Sequence, residues 1–215
     1  MPGSGSQDHT VQLWDPISDA SIAKLEGHSH VVTTVAFSPD GLCLASGSED
    51  HTVRLWDPIS GASIAKLEGH SRLVWTIAFS PDGLCLASGS LDSTIQLWNP
   101  ISGASIAKLE GDSGLVEMVA FSPDGVHLAS GSGDGAVQLW GPISSTSLTK
   151  LKGHSDWVIA IAFSPDGLCL ASGSCQDRID ICFRLRTYPS EYHSSSTLSY
   201  GTYFKCSHVL SPSIH

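Results

Sequence analysis

With 215 residues, 41% of them hydrophobic, the chain has room for one domain of ordinary size with a packed core. Its formal charge of −10 and pI near 5.3 argue against nucleic acid and against an anionic membrane surface, both of which are held by clustered Lys and Arg. No apolar run approaches the roughly 18 residues of a spanning helix, and Met1 to Ser6 lacks the basic-then-apolar pattern of an export signal, so a cytoplasmic protein is expected.

Taken in chain order, the elements repeat. Ser4-Gly5-Ser6 matches Ser46-Gly47-Ser48, so the chain opens in the middle of a unit, and residues 1–26 read as that unit's last two strands. The first whole unit runs from Gly27 to Glu68. Val31 to Phe37 is a β-branched run, strand a, ended by the tight turn Ser38-Pro39-Asp40-Gly41. Leu42 to Ser48 is strand b. After a turn at Asp50-His51, Thr52 to Trp56 alternates apolar and polar residues as strand c. The turn Asp57 to Gly61 leads into strand d, Ala62 to Leu67. The unit returns every 42 residues: Gly27-His28, Gly69-His70, Gly111-Asp112 and Gly153-His154 open it, and Trp14, Trp56, Trp98 and Trp140 mark strand c. Periodicity stops at Cys182. The first 182 residues carry 8 basic and 20 acidic side chains, while residues 183–215 carry 3 and 1 and hold all four tyrosines. That shift reads as a disordered tail or as sequence from another reading frame.

A repeat of 40 to 45 residues with Gly-His and Trp-Asp signatures points to one four-stranded propeller blade per unit. Each small sheet is apolar on both faces and needs a neighbour on either side, which explains the repetition. The expected fold is all-β: a partial propeller of four to five blades in an open arc, with units starting at 27, 69, 111 and 153, the last degenerate. Unpaired faces at the ends of such an arc promote self-association.

The run GHSHVVTTVAFSPDGLCLASGSEDHTVRLWD resembles a WD40 repeat along its whole length, and the resemblance covers roughly residues 4 to 182. It implies a hydrogen-bonded tetrad of His, Ser or Thr, Asp and Trp in each repeat, and closure of a full propeller with about seven blades. By position the tetrads are His28, Ser46, Asp50 and Trp56, then His70, Ser88, Asp92 and Trp98. The third unit keeps Ser130, Asp134 and Trp140 but has Asp112 in place of His. Two close carboxylates resist joint ionisation, so Asp112 is expected to turn to solvent and leave that tetrad broken. The fourth keeps His154 and Ser172, with Gln176 and Cys182 replacing Asp and Trp. A Ser-His-Asp set invites a hydrolase reading, but copies in successive repeats, each with a Trp, fit structural glue better.

No catalytic residue, metal site or cofactor is expected. Gly131 to Gly135 lacks the Lys-Ser/Thr of a phosphate-binding loop. His28 and His30 form a pair found in this unit alone, and His28 is assigned to the tetrad. Cys43, Cys85 and Cys169 hold equivalent places on separate blades, too far apart to bridge, and read as buried free thiols.

Comparing the copies locates a candidate site. The first two units agree at 33 of 42 positions. The large changes fall at five places: His30, Arg72, Gly114, Asp156; Val31, Leu73, Leu115, Trp157; Thr33, Trp75, Glu117, Ile159; Glu49, Leu91, Gly133, Cys175; and His51, Ser93, Gly135, Asp177. In a four-strand meander the d–a and b–c loops share one end of every blade, so these positions gather on one rim, while the rim of Ser-Pro-Asp-Gly and Pro-Ile-Ser turns stays nearly constant. Trp75 and Trp157 are expected to be partly exposed there, where aromatic side chains favour binding. The partners implied are other proteins or peptides. Near-identical copies with variation on one rim resemble the sensor repeats of fungal NACHT-type incompatibility and innate-immune receptors; the alternative is a general scaffold or adaptor for a multiprotein complex or ubiquitin ligase.

Overall fold

The computed structural model describes residues 6–111, 114–175, 181–186 and 203–206, the last two segments as backbone only. Its strands pair as antiparallel meanders. Strands β1 (Thr10–Trp14) and β2 (Ser21–Glu26) form a two-stranded sheet. Three complete blades follow: β3 (Val32–Phe37), β4 (Leu44–Ser48), β5 (Val53–Trp56) and β6 (Ser63–Leu67); β7 (Val74–Phe79), β8 (Leu86–Ser90), β9 (Thr94–Trp98) and β10 (Ser105–Glu110); and β11 (Val116–Phe121), β12 (Leu128–Ser132), β13 (Ala136–Gly141) and β14 (Thr146–Lys152). The strands start one or two residues later than their apolar runs, because the turns take those residues.

The fourth sheet departs from the sequence reading. Its strands are β15 (Val158–Phe163), β16 (Cys169–Ser174), β17 (Ile181–Arg186) and β18 (Tyr203–Cys206). Strand β17 runs four residues past Cys182, and Phe183 to Arg186 pair with residues 203–206, inside the stretch set outside the repeats. Backbone pairing needs only an extended partner, so a strand can form there without the repeat's side-chain pattern.

The core lies between the sheets. Trp56 packs with Val11, Leu13 and Leu25 of the preceding sheet and Val32 and Leu44 of its own. Trp98 does the same with Val53, Leu55 and Leu67, and Trp140 with Ile95, Leu97 and Leu109. Each tryptophan therefore closes its blade onto the one before. Trp14, with no described blade before it, is 58% exposed, whereas the other three are buried. Glycine permits the close approach: a Cβ on Gly47, Gly89 or Gly131 would meet Cγ1 of the next blade's Val74, Val116 or Val158 at 2.5–2.8 Å. Cys43, Cys85 and Cys169, expected to be buried, are half-buried, with Cys43 and Cys85 packing against the edges of the cores between blades, and Cys175 is exposed.

Candidate functional site

The tetrads assemble as expected in the first two blades. Trp56 donates its Nε1–H to Ser46 Oγ at 2.8 Å, Ser46 Oγ lies 2.8 Å from His28 Nε2, and His28 Nδ1 lies 2.8 Å from Asp50 Oδ2. In the next blade Trp98, Ser88, His70 and Asp92 repeat the chain at 2.8, 2.8 and 3.1 Å. One direction satisfies every group: indole to hydroxyl, hydroxyl to Nε2, Nδ1–H to carboxylate. That order assigns the neutral Nδ1–H tautomer. Protonating Nε2 would aim two donors at one hydroxyl oxygen and strand the hydroxyl proton.

Burial accordingly pushes the His28 and His70 imidazoles below their ordinary 6.5, although Asp50 and Asp92 pull the other way. Burial alone would raise Asp50 and Asp92, but hydrogen bonds led by Thr52 and Thr94, with the histidines and the Ser29 and Ser71 amides, hold both below the usual carboxylate range. A histidine whose folded pKa is depressed contributes stability that is complete above the unfolded value and is lost as pH falls through the folded one. Melting temperature should therefore fall by roughly 3–8 °C between pH 7.5 and 5.5. Glu117, raised by burial, has the opposite sign: its cost is absent below its ordinary 4.5 and grows as pH rises through the folded value. Measuring the melt in a Glu117→Gln background isolates the histidines, and a flat profile there would contradict the neutral-imidazole assignment.

The later tetrads are incomplete. Trp140 still donates to Ser130 Oγ at 2.9 Å, but Asp134 is exposed and pairs with Lys150 Nζ at 2.9 Å rather than with a histidine. With no imidazole in this unit's d–a loop, a nearby ammonium answers the carboxylate. Asp112 lies outside the described residues, so its orientation is not part of the structure. His154 Nε2 keeps its 2.8 Å contact with Ser172 Oγ; Gln176, Asp177 and the Cys182 side chain are outside the described residues.

Within each blade the d–a and b–c loops that carry the variable positions are bonded to each other. In all four blades the amide of the 49-type residue donates to the carbonyl of the 31-type residue: Glu49 to Val31 at 2.9 Å, Leu91 to Leu73 at 3.2 Å, Gly133 to Leu115 at 2.9 Å and Cys175 to Trp157 at 3.2 Å. The 51-type residue is left-handed in each described turn, with φ of 70° at His51, 66° at Ser93 and 77° at Gly135. Thr33, Trp75, Glu117 and Ile159 are the extra residues of β-bulges on the four a strands. A bulge breaks strand alternation and re-aims its side chain. No signal in the sequence distinguished this from plain alternation.

Exposure within the rim is uneven. Trp75, Trp157 and Ile159 are 45%, 48% and 47% exposed, and His30, His51 and Arg72 are also open. Val31, Glu49, Leu73, Leu91, Ser93, Leu115 and Asp156 are half-buried. Two positions differ from the expected exposed surface. Thr33 turns inward, donating to the Gly47 carbonyl at 3.0 Å and to that of Val74 across the seam. Glu117 is only 4% exposed, although Trp75 and Ile159 at the same bulge position are nearly half-exposed.

The constant rim carries a feature the residue comparison passed over. Ile17, Ile59, Ile101 and Ile143 stand 79–93% exposed in its turns, and a cavity near 330 Å³ opens between the first two complete blades, lined by Leu42, Cys43, Ile64, Phe79, Leu84 and Ile101 among others. Among the described residues no group of three His, Cys, Asp or Glu side chains could hold a metal ion.

Four-stranded antiparallel blades, locked by buried Trp-Ser-His-Asp chains and not closed into a barrel, define a repeat protein of the propeller type. A family model described as WD domain, G-beta repeat matches residues 20–57, 61–99, 103–141 and 145–179, and the chain belongs to the WD40 family. Among curated proteins it is similar to ribosome assembly protein 4 of Chaetomium thermophilum, 49% identical over 45 residues, and to pre-mRNA-processing factor 19 homolog 2 of Arabidopsis thaliana, 41% identical over 44. It is also 49% identical over 43 residues to periodic tryptophan protein 2 of Arabidopsis thaliana. Each match covers 20% of this chain and 5–9% of the relative, about one repeat.

Proposed function

We propose that this chain is a non-catalytic protein-interaction module that reads a protein or peptide through its variable rim, in the manner of a sensor. The observation that carries the reading is the coincidence of two patterns. The first two copies agree at 33 of 42 positions, and the chemically large changes among the copies include five places near the d–a and b–c loops, where Trp75 and Trp157 are half-exposed. Folding does not account for the choices. The left-handed 51-type backbone favours glycine, yet holds His51 and Ser93 at a cost. The fungal NACHT-type sensor reading rests on the same focused variation.

The rim is tested by immobilising the chain and comparing captured proteins by mass spectrometry for three forms: unchanged, Trp75→Ala with Trp157→Ala, and Ile59→Ser with Ile101→Ser. Loss of specific partners only in the tryptophan variant is expected. Loss only in the isoleucine variant would sink the rim reading and favour the second one, a general scaffold that docks through the apolar groove of the constant rim.

A further inference from the structure

We infer that the seam between the third and fourth blades receives an arginine side chain of the partner, with Glu117 as its counter-ion and Trp157 as its stacking wall; the inference rests on the variable rim as the reading surface. Glu117 is 4% exposed as a residue, its carboxylate oxygens are not among the fully buried unpartnered atoms, and no hydrogen bond or ion pair meets them among the described residues. A carboxylate held in a largely enclosed place with no cation beside it is well set to take one from a partner. Its place is set by the bulge. The equivalent Thr33 reaches the carbonyl of Val74 across its own seam, and Val158 is the matching residue opposite Glu117. Trp157 immediately precedes Val158.

Trp157 lies against the loop that precedes Glu117. The Trp157 indole nitrogen lies 3.8 Å from where a Gly133 Cβ would stand, and the Gly133 amide donates to Leu115, two residues before Glu117 on the same chain segment. Charge around the seam is negative. Asp156 sits in the adjoining loop, and Lys150 is engaged by Asp134. Burial alone holds the Glu117 carboxyl above its ordinary range, as for a carboxyl with no cation beside it. A guanidinium meets both demands, because it pairs with a carboxylate and its plane stacks on an indole, whereas a strongly hydrated ammonium does this less well.

The test titrates 5-fluorotryptophan-labelled chain with the capped tripeptide Gly-Arg-Gly and with its citrulline counterpart, which keeps the shape but not the charge. Fluorine NMR follows the Trp157 signal, assigned with Trp157→Phe. Saturable shifts with arginine and none with citrulline are expected, and Glu117→Gln should weaken binding by at least about tenfold. Glu117→Thr, the residue of the equivalent first-blade position, guards against misfolding and should behave like the Gln variant. Equal response to arginine and citrulline, or unchanged affinity in both Glu117 variants, overturns the inference, as does tighter binding of Gly-Lys-Gly. Partner capture separates the two readings. If Trp75→Ala with Trp157→Ala abolishes capture and Glu117→Gln does not, the rim stands and the arginine site falls. If capture survives every rim change, the rim itself falls.

Discussion

Replacing Trp98 with alanine is expected to remove a large share of the chain's stability. Trp98 is 2% exposed and packs on Val53, Leu55 and Leu67 of the preceding blade, so its indole belongs to two sheets at once. Truncating a buried aromatic costs about 3–5 kcal/mol through lost transfer and the cavity left behind. Ser88 also loses the indole donor that completes the tetrad. Domains of this kind hold only about 5–15 kcal/mol in all. The same change at Trp14, which is 58% exposed, should cost under about 1 kcal/mol. Urea unfolding followed by circular dichroism distinguishes them; equal midpoints for the two variants would refute tryptophan as the joint between blades.

Gly89→Val should cost about 3 kcal/mol or more, even though valine is the better strand former. The added Cβ would stand 2.5 Å from Val116 Cγ1 and 2.7 Å from Thr76 Cγ2, closer than atoms pack, and neither neighbour is the free end of a flexible side chain. The blades must therefore separate. Gly133→Ala is the control, because its Cβ would meet nothing nearer than 3.7 Å and should change stability by no more than about 0.5 kcal/mol. Combining Gly89→Val with Val116→Ala should recover part of the loss, a positive coupling in a double-mutant cycle. If Gly89→Val were neutral or stabilising in thermal melts, the tight seam would be wrong.

The repeat itself was legible because it is written several times. The 42-residue step, the turn Ser-Pro-Asp-Gly and the alternation around Trp56 place strands, loops and the order of the meander without any coordinates. The tetrads of His28 and His70 came from the resemblance to WD40 repeats, carried over by position. A buried indole, hydroxyl, imidazole and carboxylate at fixed spacing have one self-consistent way to bond, and the structure forms it. The single-rim grouping of variable residues also followed from connectivity alone.

What each variable residue does was not legible. Strand alternation cannot reveal a bulge, and at the bulge position Thr33 bonds across a seam, Trp75 reaches solvent and Glu117 is buried. Asp134 could not be placed either, since its partner Lys150 lies 16 residues away on another strand and becomes a neighbour only when the blade folds. The pairing of residues 203–206 with strand β17 carries no repeat signature, because backbone hydrogen bonds ask nothing of side-chain identity. Local spacing and residue type thus determined the units and their internal bonds. The packing of one blade on the next decided which side chains are sealed in the seams and which remain open to a partner, because burial depends on distances between residues some 42 positions apart.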